Sequence, residues 1–218
     1  MTPDYQTAAT KALETLIQSG TNATPVDPLP ILKRIPRTLV MTYEAVSNIV
    51  EMERRCVLST MGDHNQAAFT SVNITDGNKQ YLVTFNQKLP SYVIQRSLAR
   101  ELAHIVLGHD GSKPEAVRDE ESKCFAMHLL FPRPLIHAMQ TNTKLTVEVL
   151  ANLTGCNEYC LGCIRNMPRI ETPAELNRKV RDQMSDYITN FLNFQRIATL
   201  KDSSALADLG SFMDGYEE

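Results

Sequence analysis

Two short stretches rich in β-branched and aromatic residues, 68–74 and 80–85, constrain the fold of this chain more than any other feature. The segment between them contains Asp76-Gly77, and Asp-Gly is a strong signal for a tight turn between antiparallel strands. The sequence therefore predicts a β-hairpin in the first half of the chain.

Two long helices are predicted directly after the hairpin. Residues 90–107 carry apolar side chains at helical spacing, with Pro90 near the start and Gly108 placed to end the helix. Residues 115–131 predict a second helix, which Pro132 and Pro134 end. A hairpin followed by amphipathic helices indicates the α+β fold class.

The remaining elements are predicted to be mainly helical. Helices are expected over 2–18, 29–35, 47–56 and 174–199, short helices over 135–167 with a break at Thr154-Gly155, and a strand within 39–46. The predicted organisation is a first domain over 1–140, a helical extension over 141–200 and an acidic, flexible tail over 201–218.

Composition excludes several classes of protein. The chain is 43% hydrophobic and 22% charged with a net charge of −3, which is typical of a soluble globular protein and does not favour a nucleic-acid partner. Its first residues lack the apolar core of a signal peptide, and no apolar run has the length of a membrane span. Five cysteines, an odd number, indicate reduced thiols, so the predicted location is the cytoplasm.

The run Ala-Arg-Glu-Leu-Ala-His at 99–104 is a modified zinc motif. Peptidases of the HExxH type need two histidines four residues apart on a helix, so that both imidazoles reach one zinc ion, and a glutamate that activates the bound water. Glu101 and His104 stand in these positions, but Arg100 replaces the first histidine, and a guanidinium has no lone pair for a metal. The motif alone is weak evidence, because a histidine on a helix is more often a core residue.

A second motif makes the first one more specific. Residues 99–109, ARELAHIVLGH, and 121–132, ESKCFAMHLLFP, resemble the two linked motifs of the ImmA/IrrE family of zinc endopeptidases, and the similarity covers roughly residues 5–167. The resemblance implies a zincin-like domain with a small sheet packed on the motif helix. It also implies a zinc cofactor, with Glu101 as the general base and with His104 and Glu121 as ligands.

The same resemblance implies a partner and a way to bind it. Family members act on repressors, so a repressor-like or other regulatory protein is the expected substrate class, with no direct binding to nucleic acid. In such peptidases an exposed strand beside the motif helix holds the substrate backbone. Gln80, Tyr81, Leu82 and Val83 are the predicted substrate strand, and the alternative is that they form an ordinary buried strand.

Three hypotheses describe the modified site. The first is an inactive peptidase that serves as a protein-interaction module, in which Arg100 pairs with Glu121 and replaces the charge of zinc. The second is a rearranged metal site of His104, Glu121 and Cys124. His109 is a further candidate ligand, although a spacing of five residues from His104 places it on a different side of the helix. The third is a weak enzyme that uses the two remaining family ligands and water. For Cys124 the favoured interpretation is a buried apolar side chain.

Two further patterns occur near residue 160. Cys156, Cys160 and Cys163 have the C-x3-C-x2-C spacing of the iron–sulfur cluster in radical SAM enzymes, but the same spacing places them on one face of a helix, and core packing is favoured. Residues 146–166 have helix-turn-helix length with few basic residues, which favours two packing helices over DNA binding.

Overall fold

The computed structural model of the chain describes residues 1–51, 67–140, 149 and 170–201, and within them it contains three strands and eight helices. The strands are β1 (Thr38–Thr42), β2 (Ala68–Thr75) and β3 (Asn78–Phe85). The helices are α1 (Tyr5–Ser19), α2 (Pro28–Arg34), α3 (Tyr43–Ile49), α4 (Ser91–Val106), α5 (Glu115–Leu130), α6 (Arg133–Gln140), α7 (Ala174–Gln183) and α8 (Ser185–Lys201). The predicted α+β class is confirmed. No helix in these ranges is long and apolar enough to cross a membrane.

The predicted hairpin is formed by β2 and β3. Thr75 pairs with Asn78, so only Asp76 and Gly77 form the turn, and their φ values of 52° and 74° are those of a two-residue turn with two left-handed residues. The first half of the chain adds β1, which pairs with β3 in parallel and gives the strand order β1-β3-β2.

The position of β3 in the middle of the sheet corrects the predicted substrate strand. Tyr81, Leu82 and Val83 pair with β1 on one side and with β2 on the other, so the segment from Gln80 to Val83 cannot add a peptide strand. On the hairpin side, β2 is the outer strand of the sheet, and no other described strand pairs with its outer edge. Because Thr75–Asn78 closes the turn, alternate residues of β2, including Val72, direct their backbone N–H and C=O groups away from β3.

Helix α4 lies between the sheet and α5 and forms the centre of the core. Its buried side chains include Leu98 and Leu102, and α5 contributes Phe125 and Leu129. Helix α1 packs on the other side of α5 and also contacts α7. The N-terminal segment and the two predicted motif helices therefore share a single hydrophobic core.

Some predicted boundaries are wrong. The strand predicted within 39–46 ends at Thr42, because the Thr42 side chain accepts a hydrogen bond from the Ala45 N–H and begins α3 at Tyr43 rather than at residue 47. The helix predicted over 174–199 is divided at Met184, which is buried. The Gln183 side chain at this break donates hydrogen bonds to backbone carbonyls at the end of α1. The break at Thr154-Gly155, the cysteine triplet, the residues 146–148 and 150–166 of the possible helix-turn-helix and the tail from residue 202 lie outside the described residues.

A Schellman turn at the end of α4 reverses the chain. The His109 N–H donates to the His104 carbonyl at 2.9 Å and the Gly108 N–H donates to the Ile105 carbonyl at 3.1 Å, with Gly108 at φ 64°. The motif helix therefore ends as predicted. The turn folds His109 back beside His104, although the two are five positions apart in the sequence.

We expect Gly108→Ala to lower the free energy of unfolding by about 1 kcal/mol, because an L side chain is strained at this positive φ while no atom lies within 4 Å of the added Cβ. Gly111→Ala is the matched control, since Gly111 has open space and no positive φ. Urea unfolding measures both variants. Equal stability of the two would contradict a requirement for glycine in this turn.

Candidate functional site

A cleft of about 770 Å³ lies between β2, α4 and the start of α5. Three residues of the modified zinc motif face it: Arg100, Glu101 and His104. Its charged and titratable lining residues are Arg96, Arg100, Glu101, His104, His109, Glu115, Arg118 and Asp119. The predicted residues Glu101 and His104 are thus brought together in one cleft.

Glu121 lies behind the cleft and is only 2% exposed. Its carboxylate accepts hydrogen bonds from Lys113 Nζ at 2.8 and 3.0 Å, from His109 Nε2 at 2.8 Å and from the Asp4 N–H at 2.9 Å. Burial alone would raise the pKa of Glu121, but these donors outweigh it and hold the pKa below its usual value. Glu121 is therefore an ionised carboxylate with a full set of donors.

The two histidines form a hydrogen-bonded chain with Glu121. His104 Nδ1 lies 2.7 Å from His109 Nδ1, and burial lowers the pKa of both rings, that of His104 to about 4. Because ionised Glu121 can only accept, neutral His109 carries its proton on Nε2 and accepts at Nδ1 from the Nδ1–H of His104. This assignment leaves His104 Nε2 without a proton, as an acceptor.

Arg100 does not form the expected pair with Glu121. Its guanidinium contacts the Asp119 carboxylate and its Nε–H donates to Ser122 Oγ at 3.3 Å. Asp119 also accepts from Lys123 Nζ at 2.7 Å. The prediction of an Arg100–Glu121 pair is wrong, because Arg100 reaches the side of α5 that carries Asp119 and Ser122, whereas Lys113 and His109 already surround Glu121.

Glu101 faces the cleft from the middle of α4. Burial raises its pKa, while Thr70 on β2 and the Arg100 guanidinium act in the opposite direction. A carboxyl with a raised pKa is a frequent feature of functional sites. Its role as a general base stays a prediction.

Cys124 and His128 belong to the core. The Cys124 side chain is fully buried, its Sγ lies 3.6 Å from the Tyr5 carbonyl, and burial raises its pKa to about 12. His128 Nδ1 lies 2.9 Å from the Cys124 carbonyl oxygen. Neither residue lines the cleft. The structure thus places Cys124 against α1, as a buried apolar side chain would lie, and does not bring it to His104.

The residues at this site do not fit the zinc ion that the predicted motif implies. His109 uses one ring nitrogen for His104 and the other for Glu121, so its ring separates the two predicted ligands. The Lys113 ammonium contacts both oxygens of Glu121, and a cation there opposes a second cation. Among the described residues, no three or more His, Cys, Asp or Glu side chains form a group that could hold a metal ion.

Sequence reasoning missed two contributors, Lys113 and the backbone N–H of Asp4. Lys113 lies in a polar loop and Asp4 lies 117 residues from Glu121, so no local pattern connects them. The position of His109 beside His104 follows from the type of helix cap at Gly108, which the sequence analysis did not consider. Gly108 signals a C-terminal cap, and the Schellman form of that cap turns the next residue back over the last turn of the helix.

One comparison with known proteins gives a match. Residues 61–158, a little under half of the chain, match the family model described as the IrrE N-terminal-like domain of peptidase family M78. The matched segment includes α4, α5 and the turn between them, and therefore the histidines and Glu121. No curated protein and no solved structure gives a significant match.

We expect Lys113→Met to lower the free energy of unfolding by about 1–3 kcal/mol, because it leaves a buried carboxylate without its ammonium partner. A carboxyl with a depressed pKa stabilises the fold above its unfolded value of 4.5, and this contribution is lost as the pH falls through the folded pKa. The difference from the wild type is therefore expected at pH 7 and should shrink in acid.

Lys11→Met provides the control for this substitution. Lys11 forms an exposed ion pair with Glu14 at 2.8 Å, and its loss is expected to change stability by less than about 1 kcal/mol. Urea unfolding at pH 7 and at pH 3.5 measures both variants. If Lys113→Met were no less stable than Lys11→Met at pH 7, Lys113 would not stabilise Glu121.

We expect the ring of His104 to stay neutral down to about pH 4, because burial depresses its pKa. An unfolded histidine gains a proton near 6.5, so folding stability should fall as the pH drops from 6.5 towards 4. Side-chain ¹H–¹⁵N NMR across pH 4–8 measures this, and it also reports which nitrogen of His109 carries the proton. A His104 midpoint near 6.5, or a proton on His109 Nδ1, would contradict the hydrogen-bonded chain.

Proposed function

We propose that this chain, whose residues 61–158 match the IrrE N-terminal-like domain of peptidase family M78, is a degenerate metallopeptidase relative that binds an extended segment of another protein without cleaving it. The observation that supports the proposal is the state of Glu121. The family's acidic ligand position is surrounded by Lys113, His109 and the Asp4 N–H, so the positive charge needed there comes from the chain itself.

The surroundings of the cleft support peptide binding. The edge of β2 that has no strand partner among the described residues borders it, and the outward-facing backbone groups of Val72 can pair with an extended peptide. Val72 is 50% exposed and Ile74 is 66% exposed, so this end of the strand also offers apolar contacts. Strand addition needs neither a metal nor a nucleophile, and it therefore survives the loss of catalysis.

The partner that we propose is a regulatory, repressor-like protein. The support is analogy with ImmA/IrrE proteins, whose motifs resemble residues 99–109 and 121–132 of this chain. Such a partner needs a segment that can become extended, because β2 offers backbone groups rather than a deep pocket for a single side chain.

The test is selection of binders from two libraries of randomised heptapeptides, one C-terminally amidated and one with free C-termini, on the immobilised full chain, followed by affinity measurement. We expect selected peptides to bind and to remain intact, with and without added zinc. Val72→Pro is expected to weaken binding about tenfold or more, because it removes an outward-facing N–H without touching the β2–β3 ladder. Val72→Thr keeps that N–H and is the matched control.

Two results would contradict the proposal. One is the absence of any peptide above background in either library, which would exclude peptide binding by this cleft. The other is zinc-dependent cleavage of selected peptides that disappears in Glu101→Gln, which would identify a working peptidase. Mass spectrometry of the recovered peptides separates intact from cleaved products.

A further inference from the structure

We propose that the cleft recognises a carboxylate on its peptide ligand, and that Arg118, assisted by Arg96, is the group that binds it. This inference rests on the proposed peptide binding and names its specificity. Both guanidinium groups line the cleft, and neither forms an ion pair within the part of the chain that the structure describes.

The Arg118 side chain carries a buried donor, its Nε, that has no acceptor among the described residues. A buried donor without an acceptor destabilises the fold, so native proteins seldom leave one unless a ligand or water accepts its hydrogen bond. Glu115 lies one helical turn before Arg118 and lines the same cleft, yet the two form no ion pair.

The other charged groups that line the cleft do not form an ion pair with Arg118 in the described structure. Asp119 is shared by Arg100 and Lys123 and has little capacity left for a third cation. The positive charge of Arg118 lowers the pKa of both His104 and His109, so Arg118 lies near the two rings. Since these rings are neutral at pH 7, they supply no competing cation and no anion to neutralise Arg118.

The chemistry of the site favours a carboxylate over a phosphate. A guanidinium binds either group with two parallel hydrogen bonds. Glu101 and Glu115 face the same cleft, however, and their negative charges oppose a dianion more strongly than a monoanion. The carboxylate can come from an acidic side chain of the bound segment or from its C-terminus.

The test compares two heptapeptide libraries on the full chain, one amidated and one with free C-termini. Enrichment of Asp and Glu among binders from the amidated library is expected if the carboxylate is a side chain. Preference for the free library is expected if it is the C-terminus. For the best binder, Arg118→Gln should weaken affinity about tenfold or more, and Arg96→Gln should weaken it less.

Arg181→Gln is the matched control, because Arg181 is exposed on α7 and does not line the cleft. Melting temperatures show whether each variant is folded, and Arg118→Lys, which keeps the charge, should retain part of the affinity. Binding without acidic enrichment or free-terminus preference would overturn this inference but leave peptide binding intact, as would equal affinity of Arg118→Gln and Arg181→Gln. No binding in either library would overturn both.

Discussion

The buried carboxylate of Glu121 connects the parts of this domain that would otherwise be held only by apolar packing. It joins the N-terminus of α1 through Asp4, the loop before α5 through Lys113 and the end of α4 through His109. An ionised carboxylate is stable in such a buried position only when charged and polar donors surround it. The geometry of the site therefore depends on the hydrogen bonds that these groups donate to Glu121.

The donors around Glu121 are arranged differently from the ligands of a bound metal ion. A metal ion in the middle of such a site would draw histidine nitrogens and the carboxylate towards one point. Here an ammonium, an imidazole and a backbone N–H approach Glu121 separately, and the histidine rings contact one another instead. Arg100 pairs with Asp119 rather than with Glu121, and Arg96 and Arg118 line the cleft without an ion pair among the described residues. These contacts are the basis of the proposal that the chain binds a peptide without hydrolysing it.

Local sequence signals predicted the elements around the site well. The Asp76-Gly77 turn, the apolar face of α4 and the prolines after α5 depend on neighbouring residues, and each occurs within one or two residues of its predicted place. Non-local pairing was not predictable in the same way. The parallel contact between β1 and β3 crosses about forty residues, and it decides which of the described strands lies at the edge of the sheet.

The candidate site shows the same limit. Glu101, His104 and Glu121 were found because they match motifs, and Cys124 was correctly interpreted as a core residue. The role of Lys113 escaped prediction because a lysine in a polar loop is ordinarily solvated, and only the folded chain shows that it contacts a buried carboxylate eight residues away. Arg118 was missed for a similar reason, since only the folded chain shows that its buried Nε has no acceptor among the described residues.

The most direct measurement is the zinc content per chain of protein purified without chelators or a histidine tag, beside Glu121→Ala. If Lys113 and His109 replace the metal at Glu121, both proteins should contain far less than one zinc per chain. Near-stoichiometric zinc in the wild type that disappears in Glu121→Ala would contradict this, and it would mean that the site binds metal despite Arg100.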